Sequence, residues 1–205
     1  MNYLEEYIEK LMALQRGEKV KINVHFVASE PLTSFCYEIN QQIAKHNVGL
    51  INMSVESIIV PHISLFNGYV DNIESLEEVF RVVREYAQKT PCFYYDATNL
   101  YFKQRHKGAS QYLFIDSLQT NYLSEQKEIL DKLLQPVTTP NEWDMKSERP
   151  HLTVGCYRNI TAKTREFIDS CGIIPSCKIS QIGVSLSGKH GVCLSLLKAF
   201  DLPAE

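Results

Sequence analysis

The chain has 205 residues, 44% of them hydrophobic and 22% charged, with 9 glycines, 8 prolines and a formal net charge of −3. That length suits one domain or two small lobes sharing a core, and the composition excludes a disordered or collagen-like chain. A slightly acidic chain does not coat long nucleic acid by counterion release, whereas a small cleft for one phosphate is compatible with it.

No uninterrupted apolar stretch approaches the ~20 residues that cross a bilayer, so no membrane span is expected. Glu5, Glu6 and Glu9 stand where a secretory signal has a basic start and an uncharged run. The six cysteines (Cys36, Cys92, Cys156, Cys171, Cys177, Cys193) are scattered without a C-x-x-C pair. Several lie in apolar stretches, where a reduced cysteine behaves as a small hydrophobe, so a cytoplasmic setting is expected.

Residues 3–15 place Leu4, Tyr7, Ile8, Leu11, Met12 and Leu14 at helical spacing, and Gly17 ends the helix. This helix is expected to cover an apolar patch of its own domain, with the chain acting as a monomer. Residues 20–28 alternate, with Ile22, Val24 and Phe26 on one face and Asn23, His25 and Val27 on the other, which is a half-buried strand. A helix over 32–46 follows, then a strand over 58–70 carrying Pro61-His62-Ile63-Ser64. Residues 74–88 form a helix stopped by Pro91, and the aromatic-rich 92–102 reads as strand.

The order then repeats. A strand spans 111–116 and a helix 121–135, stopped by Pro136; the strand 149–156 carries Pro150-His151-Leu152-Thr153. A helix over 161–171 and a strand over 178–187 follow. A last strand, 192–200, is joined through the turn Gly188-Lys189-His190-Gly191. The irregular stretch 136–148 holds the only tryptophan, Trp143, and reads equally as a lid over a cleft or a surface loop.

The halves keep register at an offset of 89 residues, which carries His62 onto His151. Few side chains match at this offset, so the repeat is one of elements. The expected fold is α+β with two pseudo-symmetric lobes, about 20–102 and 110–202. Each lobe is an antiparallel sheet backed by helices, and the two face each other across a central groove.

Proline–histidine–aliphatic–hydroxyl thus occurs twice. Side chains two apart on a strand share a face, so His62 stands beside Ser64 and His151 beside Thr153. The bare H-x-S/T pattern is weak. It gains weight from the preceding proline, the apolar strand around it and its equivalent place in each half. Two imidazoles flanking two hydroxyls suit a tetrahedral phosphate. Histidine titrates near ~6.5, so one ring can take a proton from an attacking water while the other protonates the leaving ribose oxygen. Ser64 and Thr153 would donate to the oxygens on which charge grows. No cofactor or metal is required, and the sequence has no H-E-x-x-H, Cys/His cluster or D-x-D loop to hold a metal.

With these motifs, His62-Ile63-Ser64-Leu65-Phe66 and His151-Leu152-Thr153-Val154, the chain resembles the two-histidine (2H) phosphoesterase superfamily. Within it, the branch of bacterial 2'-5' RNA ligases and RNA 2',3'-cyclic phosphodiesterases is the one resembled. The resemblance spans roughly 20–202, including the closing strand–glycine–strand hairpin, and leaves the first helix outside. Ser64 stands where threonine is commoner. The resemblance implies hydrolysis of a cyclic phosphate on an RNA end or a nucleotide to a 2'-phosphomonoester, with reversible 2'-5' joining as a side reaction. It also implies an arginine soon after the second motif. Here Gly155 and Cys156 intervene and Arg158 comes later.

Other candidates for the substrate follow from position. Phe66, read on the same face as Ser64, is placed to stack a base, as are Tyr69, Tyr157 and Trp143. His25, on the polar face of its strand, either borders the cleft or stands solvated. Rival readings are a phosphodiesterase for 2'-5' oligoadenylates or cyclic (oligo)nucleotides, and a nucleotide-binding module that uses the groove without turnover.

Overall fold

The computed structural model describes residues 3–104, 110–140 and 149–204. Helix α1 (Tyr3–Gln15) ends where Gly17 takes a positive φ of 75°, a conformation a side chain would strain. Strand β1 (Val20–Val27), helix α2 (Leu32–Ala44) and the short β2 (Val48–Gly49) lead to β3 (His62–Val70). Helix α3 (Ile73–Ala87) is capped by Asn72, whose Oδ1 accepts the Ser75 N–H at 2.8 Å. Strands β4 (Phe93–Tyr95), β5 (Ala97–Gln104) and β6 (Ser110–Ser117) precede α4 (Thr120–Leu134), β7 (Thr139–Pro140) and β8 (Leu152–Arg158). Helix α5 (Ala162–Ser170) and strands β9 (Cys177–Ile179), β10 (Gln181–Ser187) and β11 (Cys193–Asp201) complete the chain.

The main sheet is antiparallel at every pairing and runs β11-β10-β1-β3-β8-β6-β5, with β2 added to β8 and β7 to β3. The expected strands 92–102 and 178–187 are each divided. Their first parts, β4 and β9, pair with one another in a separate two-stranded sheet, and only β5 and β10 enter the main one. The strand expected over 58–70 begins at His62; ahead of it Ile59 bridges Leu194 of β11.

The two halves of the sheet exchange strands relative to the ranges 20–102 and 110–202. Strand β5 pairs with β6, and the β10–β11 hairpin pairs with β1, so the halves are β11-β10-β1-β3 and β8-β6-β5. Each exchange follows from a hairpin, which closes locally before it meets the remaining strands. The helices cross as well, α4 packing on β3 and α2 on β8.

One face of the sheet is apolar. Ile22, Val24 and Phe26 of β1, Val184 and Leu186 of β10, Ile63 and Leu152 are all fully buried, and they share one core with residues of α2, α3 and α4. The other face of β1, β3 and β10 is polar and carries the motif residues. All six cysteines are free. Among the described residues no helix is long and apolar enough to cross a membrane.

Candidate active site

Among the described residues strands β3 and β8 meet at one register pair, Ile63 opposite Leu152. These two side chains point into the core, so alternation turns their neighbours His62 and Ser64, and His151 and Thr153, to the opposite face together. In an antiparallel pair with this register, His62 stands across from Thr153 and Ser64 across from His151. The two motifs therefore share one patch at the junction of the halves.

Each histidine is oriented by its own backbone. The Nδ1 of His62 lies 2.6 Å from the carbonyl oxygen of Val60, and that of His151 lies 2.8 Å from that of Arg149. A carbonyl only accepts, so Nδ1 carries the proton and a neutral ring is left with its lone pair on Nε2. Each ring also leans on a neighbour one strand away. His25, register partner of Ser64, meets His62 edge to face with ring centroids 5.0 Å apart. Phe114, register partner of Thr153, lies against His151 at 3.8 Å. His25 and Phe114 are themselves 89 residues apart. The offset that pairs the motifs thus also finds Phe114, a site residue that reading the motifs alone misses.

The environments of the rings differ. His62 is 4% exposed, and burial pushes its pKa down to about 4, with a lesser push from the charge of His151 and partial opposition from the Val60 carbonyl. His151 is only half-buried. His25 is fully buried rather than solvated, and burial, then the nearby His62, holds its pKa far below the ordinary histidine range. Ser64 Oγ accepts a hydrogen bond from Asn23 Nδ2 at 2.8 Å, which leaves the Ser64 hydroxyl proton to point elsewhere. The same amide donates to Asn67 Oδ1 at 3.1 Å. Periodicity puts Asn23 on the polar face but assigns it no role; its place two residues before His25 is the available signal.

Directly after each motif the ladder carries a β-bulge. Val24 pairs with Phe66 and His25 with Ser64, so Leu65 has no partner on β1. Leu113 pairs with Gly155 and Phe114 with Thr153, so Val154 has none on β6. Leu65 and Val154 are again 89 apart. The freed carbonyls are taken by helix side chains: Lys127 Nζ of α4 lies 3.4 Å from the Leu65 oxygen, and Asn40 Nδ2 of α2 donates to the Val154 oxygen at 2.8 Å. Asn40 is wholly buried and also bonds the Ile51 oxygen and the Met53 N–H.

An extra residue reverses which face the following side chains take. This overturns two expectations. Phe66 does not share the face of Ser64; it pairs with Val24 and is buried in the core at 4% exposure. Tyr157 is likewise fully buried, its ring folded over Gly155, where a Cβ would come within 2.5 Å of the ring carbons. Tyr69 does stay on the polar face, opposite Lys21, but at the far end of β3 from His62. Arg158 ends β8, exposed and about 20 Å along the strand from Leu152; it lies near His190, whose pKa is depressed first by burial and then by this guanidinium. Trp143 lies outside the described residues. Among the described residues no group of three or more His, Cys, Asp or Glu side chains is placed to hold a metal ion.

No protein-family model matches the chain, and no curated protein matches it. Solved structures do. Apo LigT of E. coli is 16% identical with a TM-score of 0.54, over 91% of this chain and 99% of that one. TT0787 of Thermus thermophilus is 13% identical with a TM-score of 0.61, over 90% and 99%. E. coli LigT complexed with 3'-AMP is 15% identical with a TM-score of 0.57, again over 90% and 99%. At these identities the likeness is one of architecture, and the chain carries the α+β fold seen in LigT and TT0787.

Proposed function

We propose that the chain is a phosphodiesterase that opens a 2',3'-cyclic phosphate, on an RNA end or a nucleotide, to a 2'-phosphomonoester. One observation carries the reading: two histidines from two halves, each with Nδ1 tied to the carbonyl two residues back, share one face beside two hydroxyls. Burial keeps His62 neutral at pH 7, so its Nε2 takes the proton of the attacking water as a new P–O bond forms. His151 gives its proton to the ribose 3'-oxygen as the 3' P–O bond breaks. Ser64 and Thr153 donate to the non-bridging oxygens as their charge grows.

The two imidazoles account for both proton transfers, so the step as written uses no metal. With a 5'-hydroxyl in place of water, the same attack yields a 2'-5' linkage. The solved complex of E. coli LigT with 3'-AMP supports a nucleotide as the ligand of this fold. Six free cysteines support action in a reducing cytoplasm, and we place the working unit as a monomer. The test is phosphorus NMR of the products from 2',3'-cyclic mononucleotides, cyclic-ended RNA, 2'-5' oligoadenylate and cyclic oligonucleotides, with and without EDTA. A 2'-phosphate product from the cyclic phosphates, formed equally with chelator, is expected. A 3'-phosphate product, or loss of turnover with EDTA, overturns the reading.

A further inference from the structure

The polar face of the first half continues past the histidines in ordered rows. His25 stands beside Ser64 and Gly183, Asn23 beside Asn67 and Ser185, and Lys21 beside Tyr69, with Ser187 two residues beyond Ser185 on β10. Along these rows Asn23 Oδ1, His25 Nε2 and Ser187 Oγ are buried without a hydrogen-bond partner among the described residues. Among the described residues each such atom is withdrawn from solvent with nothing to bond, so a file of them on one face suits the lining of a site for a polar ligand.

The file runs into an open groove of about 760 Å³ that α1 borders on one side. Lys19, Lys21, Lys189, Tyr69 and the 2%-exposed Ser187 line it, across from Glu5, Glu6, Glu9 and Lys10 of α1. Lys19 Nζ lies 5.3 Å from the centre of the Tyr69 ring. Glu6 uses Oε1 to accept the backbone N–H of Lys189 at 3.1 Å, while its Oε2 is buried without a hydrogen-bond partner among the described residues.

We infer that this groove holds the nucleotide on the 5' side of the cyclic end, making the substrate a single-stranded oligonucleotide of at least two residues. The inference rests on the phosphodiesterase reading and deepens it. Lysines meet a phosphate as point charges. A carboxylate only accepts, so Glu6, lining the same groove as the Ser187 hydroxyl, suits the amino edge of a base. Tyr69 gives an aromatic wall. Lys21 lies four positions from His25 on β1, about 13 Å away, a span suited to the next nucleotide rather than to the nucleoside held at His62. The groove depends on α1, which lies outside the stretch of motif resemblance. A short ligand also agrees with a net charge of −3, which does not favour a long polyanion.

Kinetics on a 2',3'-cyclic mononucleotide and on a cyclic-ended trinucleotide with the same terminal base test this. The wild type should prefer the trinucleotide in kcat/KM by roughly tenfold or more. Lys19→Glu and Lys189→Glu, both at exposed positions, should each cut that preference by about tenfold and leave mononucleotide turnover unchanged. Equal kcat/KM at both lengths in the wild type, or a preference that survives both charge reversals, overturns the inference. If no cyclic phosphate is turned over, the function reading has failed, and the groove is then read by fluorescence anisotropy of a labelled 3'-phosphorylated trinucleotide. A Kd raised about tenfold by Lys19→Glu supports it; an unchanged Kd, or no binding by the wild type, overturns it.

Discussion

Ile63 and Leu152 face each other as the single register pair between β3 and β8 among the described residues, and both are fully buried. Because they point into the core, the residues on either side of each must point out of it. One apolar contact between the halves thus brings two histidines and two hydroxyls onto common ground.

The hydroxyls are expected to act on charge in the transition state. Ser64→Ala and Thr153→Val should each lower kcat on a cyclic phosphate by on the order of 10²-fold with little change in KM. Asn23→Ala, which removes the donor to Ser64 Oγ, should lower kcat by less. In the double variant with Ser64→Ala the loss on a cyclic mononucleotide should be less than the sum of the two, because Asn23 and Ser64 share a hydrogen bond. Additive losses across that pair would show that Asn23 acts elsewhere.

Asn40 ties the second bulge to α2. Asn40→Ala strands the carbonyls of Ile51 and Val154 and the Met53 N–H inside the core, and should destabilise the fold by about 3 kcal/mol. Differential scanning calorimetry reads this as a drop in Tm of roughly 6–12 °C for a chain of this size. A change under about 2 °C would mean that the bulge stands without its clamp.

Much of this is legible in the sequence. The helices, the polar face of β1, the 89-residue offset and the paired motifs all follow from periodicity and spacing. The faces of Phe66 and Tyr157 do not, because Leu65 and Val154 are ordinary apolar strand residues. Whether such a residue pairs or bulges is decided by the partner strand, many residues away. The exchange of β5 and the β10–β11 hairpin between the halves escapes for the same reason, since strand order is a long-range property. The surroundings of His25 are hidden too: no local pattern reveals that Cys193 of β11 comes within 3.6 Å of its Nδ1.

Stability should depend on pH through the buried histidines. The folded pKa of His62 lies near 4, below the ~6.5 of an unfolded histidine, and that of His25 is depressed in the same direction. Between those limits the unfolded chain binds protons that the folded chain refuses. Stability is therefore full above pH ~6.5 and is lost as pH falls toward 4. Urea unfolding should show a loss on the order of 2 kcal/mol between pH 7 and pH 5, and His62→Gln should flatten part of that slope. A stability that holds constant to pH 5 contradicts the burial of these rings.

The most direct measurement is the turnover of a 2',3'-cyclic nucleotide by His62→Ala and His151→Ala, each checked for folding by circular dichroism and Tm. Both variants should keep the fold and lose kcat by on the order of 10³-fold or more, because each proton transfer is assigned to one imidazole alone. Near-normal turnover in either folded variant would contradict the paired acid and base.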